Sequence, residues 1–329
     1  MPAFDPNAYA ERNSVDRLPR LDLLGLHAAL VAAAIAVAAT ASWPLLLLLL
    51  VLWPAIAALH HGALAQLHEA VHRQLVRSRA LNEALGVAIG TWSLTPMSVY
   101  RYVHARHHAH LCDEHDPEFW PYNLPDASRA RRRAYAAAEL LFGFVVTPML
   151  YTLRTLRAWP RHARRTRRRL VFELALLAGC WGAALTVVAA CGWWLPFAAA
   201  VLVPGWLTGV LQTLRKFGEH LGLAGDSILT TTRSVVYDGA FGRLLSSTQL
   251  HVERHATHHR WPRIPYRNLP AATDDLRANG PGGRFYPSHA RAVGEALHHL
   301  RDPRVGRQWV AAGRGAGMQQ VAPDGERAS

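Results

Sequence analysis

The chain has 329 residues, half of them hydrophobic, a mean hydropathy of +0.02 and a formal net charge of +13. Apolar and basic residues are therefore segregated rather than mixed, which is the pattern of a membrane protein with arginine-rich loops. Long uncharged runs exclude the soluble basic domain that a nucleic-acid binder needs, and Cys112, Cys180 and Cys191 lack the C-x-x-C spacing of a cysteine zinc site or disulfide scaffold.

The N-terminal segment, 1–23, is polar, carries acids and lacks the pattern of a cleaved signal peptide, so a cytoplasmic start is expected. From Leu24 to Leu59 there is no charged residue. One helix of about 36 residues would reach roughly 54 Å, far beyond a hydrocarbon core of about 30 Å. Two spans, 24–42 and 44–65, fit better, with the break at Ser42, Trp43 and Pro44: proline suits a first helical turn and tryptophan an interface.

Two weaker apolar stretches follow. Residues 84–99 include Thr91, Ser93, Thr95 and Pro96 and read as re-entrant or interfacial, and 135–153 contains Glu139 and fits either a span or an interfacial segment. If both crossed, the histidine-rich loop would change sides. A second hairpin is expected at 170–190 and 195–214, turning at Gly192, Trp193, Trp194 and Pro196. Residues 101–169 hold 14 arginines and the two turns hold none, so the positive-inside rule places both termini and the central region in the cytoplasm. After 270 comes a Pro-, Gly- and Arg-rich tail, 271–329, with one amphipathic stretch near Ala290 to Leu300 and a disordered end from Gly313. The expected fold is all-α and integral to the membrane: four transmembrane helices as two hairpins, spanning a domain from 24 to 270, with a cytoplasmic histidine-rich helical cap.

Nineteen histidines are the anomaly of the composition, and most of them cluster. His68-Glu-Ala-Val-His72 matches the zinc metalloprotease signature, and Asp238, between Tyr237 and Gly239, is a loose match to the distant aspartate of an intramembrane zinc protease. Two further clusters remain unexplained by that reading: His104, His107 and His108, and His255, His258 and His259. At i, i+3 and i+4 on a helix, each cluster aims its imidazoles one way. Counted from Pro44, His68 lies roughly 36 Å along a helix, just past a membrane core, and His220 follows the last apolar run. Eight clustered histidines plus His220 exceed what one ion takes, so two ions are expected. Imidazole alone leaves zinc, copper, nickel and iron open. Glu69, Asp116, Glu219 and Glu253 are positioned to orient ring N–H groups, and His251 and His110 add histidines beside boxes three and two. His27, His162, His289, His298 and His299 read as isolated structural or solvent-facing residues, as mostly do His60, His61 and His115.

The order H-E-A-V-H, H-A-R-H-H, H-A-T-H-H resembles the three histidine boxes of the membrane fatty acid desaturase and hydroxylase superfamily. Further landmarks are Asn82 to Gly86, Asp116-Pro117, Arg215 to His220, Thr232 to Val235, and Trp261 to Pro270. The resemblance implies a di-iron enzyme with ligands His68, His72, His104, His107, His108, His220, His255, His258 and His259; the neighbouring Glu69, Asp116 and Glu219 are expected to support them, as is His251, a departure from the family's pattern. It implies dioxygen as co-substrate, a lipid substrate, and electrons from a separate ferredoxin- or cytochrome-type donor with its reductase, because no His-Pro-Gly-Gly cytochrome motif is fused. The expected activity is desaturation of a lipid acyl chain at a bacterial inner membrane. The alternative is hydroxylation of an acyl chain, aminolipid head group or carotenoid.

Overall fold

The computed structural model describes residues 4–11, 14–313 and 318; the end from Gly313 that is expected to be disordered lies almost wholly outside the described residues. The chain is mostly helical. Among the described residues five helices are long and apolar enough to cross a membrane: Leu21–Thr40, Trp43–Val71, Arg129–Arg157, Arg164–Cys191 and Trp194–His220. Four correspond to the expected spans, and the fifth contains the stretch 135–153. The first stops at Thr40 because Ala41 turns left-handed (φ 50°) and returns its N–H to the Ala38 carbonyl at 3.2 Å. The second runs past residue 65 to Val71, so box one is helical almost to its end.

Contacts divide the chain into two compact units, one of residues 17–101 and 139–212, the other of 1–16, 102–138 and 213–329. In the first, Leu21–Thr40 packs along Leu49–Val71, and small residues let the backbones approach: Ala34, Ala38, Ala199 and Ala200 form one buried cluster with Leu49 and Ile56. Trp53 donates its indole N–H to the Ala199 carbonyl at 2.9 Å. Large apolar side chains such as Leu50, Val51, Phe172 and Val187 point outward, as lipid contact requires.

The stretch 84–99 resolves into the end of a helix, Arg79–Trp92, a reversal with Leu94 left-handed (φ 56°), and the start of Met97–Ala109. Two locks hold it. Asn82 donates to the Ala70 carbonyl at 2.9 Å, fixing the end of the box-one helix, and buried Glu173 takes both the N–H and the hydroxyl of Ser98, at 2.7 and 2.5 Å, where the box-two helix begins. The landmark Asn82 to Gly86 is thus a packing device: Glu83 also pairs with Arg101 and Arg169.

The second unit is built around a short parallel pair, Arg233–Val235 with Arg284–Tyr286. Arg233 is fully buried, paired to Glu295 at 2.9 Å and donating to the Leu221 carbonyl at 2.9 Å. Ser234 accepts the N–H of Ala256 at 2.9 Å, and Val235 N–H donates to the Glu253 carbonyl at 2.9 Å, so this strand seats the box-three helix, His255–Arg260. Residues after 270 supply structure: the Leu269–Asn279 and His289–Leu297 helices, the second strand, and buried Trp309, whose indole donates to the Tyr122 carbonyl at 2.8 Å.

The Arg129–Arg157 helix is interrupted at Phe142 (φ −135°, ψ 24°). There Trp206 donates to the Leu141 carbonyl at 2.8 Å, and Gly209 lies so close that an added Cβ would sit 2.4 Å from the Phe144 nitrogen. Backbone cannot yield to that contact as a flexible side chain would. Gly209→Ala is expected to cost about 1–3 kcal/mol, seen as a lower thermal unfolding midpoint in detergent; an unchanged midpoint would show that the close approach contributes nothing.

Candidate metal centre

Box two lies on the Met97–Ala109 helix, and its i, i+4 spacing brings the Nε2 atoms of His104 and His108 to 3.0 Å. His107 faces the following loop, where Nδ1 donates to Asp116 Oδ2 at 2.8 Å. Asp116 is itself fixed by the N–H groups of Cys112 and Glu118, both at 2.9 Å. With Nδ1–H engaged, Nε2 is the nitrogen of the His107 ring left to bind metal.

Box three repeats the pattern. On His255–Arg260 the Nε2 atoms of His255 and His259 also face one another at 3.0 Å. His220, the last residue of the Val203–His220 helix, donates Nδ1–H to the Thr231 carbonyl at 3.0 Å, and its buried Nε2 has no hydrogen-bond partner. Four buried histidines, His107, His220, His255 and His259, therefore each offer one nitrogen within 4.8 Å of the others. His104, His108 and His258 do the same beside them, and the His108 and His259 rings stack at 4.2 Å between centroids.

This donor set fits metal ions. Two imidazole nitrogens at about 2.1 Å from one ion and roughly at right angles lie about 3 Å apart, which is the spacing of both Nε2 pairs. Neutral rings are also the ligating form. Burial holds His255, His258 and His259 well below the usual histidine range, with neighbouring imidazoles acting in the same direction and Arg215 adding to them at His255 and His258. Burial disfavours the His107 cation too, but Asp116, Glu118 and Glu219 outweigh it and raise its pKa to about 9. Burial pushes the Glu118 carboxyl up, and the charges of His107, His104 and Lys216 overcome that and hold it below the usual carboxylate range.

In the other unit, box one closes the Leu49–Val71 helix with the His68 and His72 rings 4.9 Å apart between centroids. Glu69 Oε1 lies 3.2 Å from His68 Nδ1, behind the ring as expected of an orienting acid. Glu219 is placed differently. Its Oε2 is 3.3 Å from His255 Nε2, the nitrogen that faces His259, so it stands on the metal side of the ring; its other oxygen accepts from Arg215 at 2.8 Å.

His251 departs from expectation because it is not helical. The helix begins at His255, and His251 sits in a turn with φ 57°, its Nδ1 2.7 Å from the Ser246 hydroxyl, which also binds Glu253. Two residues that spacing did not single out are at the site. Glu118 Oε2 lies 3.7 Å from His104 Nδ1, and Phe119 packs its ring on His107 and His220 at 5.6 and 5.0 Å. Both follow directly on the Asp116-Pro117 landmark, which was the available signal. Asp238, the protease candidate, is exposed and belongs to neither histidine group.

The fatty acid desaturase family matches residues 41–290, about three quarters of the chain. This chain belongs to the fatty acid desaturase family. No curated protein matches it. Membership makes it an oxidoreductase of lipids, in a family that is typically metal-dependent, and the clustered histidines of this desaturase-family chain are groups that could hold metal. It also replaces the zinc-protease reading of His68-Glu-Ala-Val-His72, which left two histidine boxes without purpose.

Asp116 orients His107 without facing the metal side, so its removal separates ring placement from ligand count. Asp116→Asn is expected to retain helical content while metal affinity falls roughly 10- to 100-fold, measured by chelator competition. An unaltered affinity would show that the Asp116–His107 bond does not position a ligand.

Proposed function

We propose that the chain is a membrane-bound, oxygen-dependent di-iron desaturase that introduces a double bond into a lipid acyl chain. The observation that carries this reading is the pairing of Nε2 atoms at 3.0 Å in two adjacent histidine groups, which suits two ions rather than one. His107, His220, His255 and His259 would hold one iron. His104, His108 and His258 would serve the other, and the resemblance of the three boxes in sequence adds His68 and His72 to the ligand set. Iron bound there would supply dioxygen activation and removal of hydrogen from strong C–H bonds.

The protein's own contribution is orientation and enclosure. Asp116, the Thr231 carbonyl and Glu69 engage the Nδ1 atoms of His107, His220 and His68, so in each ring Nε2 is the nitrogen that would bind metal. Burial of His104, His107, His220, His255, His258 and His259 limits water around a reactive centre. Glu219, on the metal side of His255, is placed to add a carboxylate oxygen to the nitrogen set.

The membrane reading keeps four crossings. Phe142 divides Arg129–Arg157 into pieces of about 13 and 15 residues, or roughly 20 and 22 Å, each short of a core of about 30 Å. With that helix interfacial, the arginine distribution supports cytoplasmic termini and a cytoplasmic site, at a bacterial inner membrane. Electrons come from a separate ferredoxin- or cytochrome-type carrier and reductase.

Comparative lipid mass spectrometry of a host with and without the gene tests the reaction. The expected product is lighter than its substrate by two hydrogen atoms, and it disappears in a His258→Ala variant. A product heavier by one oxygen atom would replace desaturation by hydroxylation, and an unchanged lipid profile would contradict both.

A further inference from the structure

The loop after box two holds a third group of ligand-type side chains that the histidine centre does not use. His110 Nδ1 lies 3.2 Å from Asp113 Oδ2 and His115 Nδ1 lies 3.6 Å from Asp113 Oδ1, so one carboxylate has an imidazole at each oxygen. One ligand atom from each residue falls within 4.8 Å of the others. The loop is shaped for this. Cys112 adopts a left-handed φ of 60°, the Asp113 N–H returns to the His110 carbonyl at 2.8 Å, and the His115 N–H caps Asp113 Oδ1 at 2.6 Å. Gln308 donates to the Cys112 carbonyl at 3.0 Å and holds the turn from outside. The three side chains are 33, 40 and 61% exposed, so an ion from solvent reaches them directly.

Two cavities meet at this group. The outer one, about 750 Å³, is lined by Asp113, Glu114, His115, Asp226 and Arg307 among others. Three carboxylates against one guanidinium make it a negative recess on a chain whose net charge is +13. The inner one, about 240 Å³, is lined by His110, Cys112, Asp113 and Asp226 and ends at His108. Asp113, Asp226 and Arg307 line both, so two carboxylates and one guanidinium border the way from the outer recess to His108. His108 is the partly exposed member of box two, whereas His104 and His107 are buried. A cleft of one sign concentrates oppositely charged ions and speeds their capture by a factor of about 10–1000.

We propose that His110, Asp113 and His115 form a transient capture site for a divalent cation, and that the cavity behind it delivers iron(II) to the histidine centre through His108. The proposal rests on the reading of that centre as an iron site. Two imidazoles and one carboxylate, partly exposed and with open coordination positions, bind an ion weakly enough to release it to the richer nitrogen set inside.

The test strips full-length protein in detergent with a chelator, adds iron(II) without oxygen, and follows iron retained after desalting over time. Wild type is compared with His115→Ala, Asp226→Asn, the double variant, and Asp126→Asn as an exposed acid elsewhere. The double variant is expected to load at least roughly fivefold more slowly, within the range of electrostatic capture, while reaching the wild-type iron content; Asp126→Asn should match wild type. Cobalt(II) absorption on iron-loaded protein should show one additional weak site that His115→Ala removes. Equal loading rates in wild type and the double variant would overturn the delivery route even if the cobalt site is found. A wild-type chain that takes up no iron would overturn the underlying iron reading as well, and the two failures are distinguished by that control.

Discussion

The second unit is organised around the cost of packing imidazoles against imidazoles. His104, His107, His108, His220, His255, His258 and His259 bring their lone pairs together in a largely buried volume, where an unpartnered polar atom costs free energy that solvent cannot return. Protonating the rings does not relieve this, because burial opposes the cation at His255, His258 and His259. Metal cations bind neutral rings, the form that burial already favours at His255, His258 and His259. The surrounding architecture then serves to keep each ring turned the right way.

That architecture explains why short, irregular pieces matter. The strand Arg233–Val235 is three residues long, yet it seats the N-terminus of the box-three helix through Ser234, while Arg233 secures the carbonyl of Leu221, the residue after His220. In the other unit Asn82 and Glu173 fix the ends of the box-one and box-two helices. These polar locks are buried beside membrane-length helices, where apolar packing alone would not fix helix rotation. Buried acids and amides that bond from one element to the next give that definition.

Much of this was legible from residue order. The i, i+3, i+4 spacing determined which rings share a helix face, and the long uncharged runs fall within four of the five membrane-length helices among the described residues, whose ends differ from the expected ones by up to six residues. His251 occupies a left-handed turn and meets the Ser246 hydroxyl, so its distance of four residues from His255 carries no facial meaning. Glu219 was placed behind a ring because acids near histidines usually orient them, whereas its direction depends on Arg215 and on which nitrogen of His255 it meets. Thr231 acts through a backbone carbonyl, which no side-chain pattern reveals. The structured region after 270 was obscured by its Pro, Gly and Arg content, and its strand is too short for alternation to register.

The central claim is that the histidine groups hold two irons. Metal analysis of the detergent-purified chain, paired with protein quantitation, tests it most directly: the account predicts about two irons per chain and their loss in His107→Ala, since two Nε2 pairs call for two ions. One zinc per chain with no iron would contradict it.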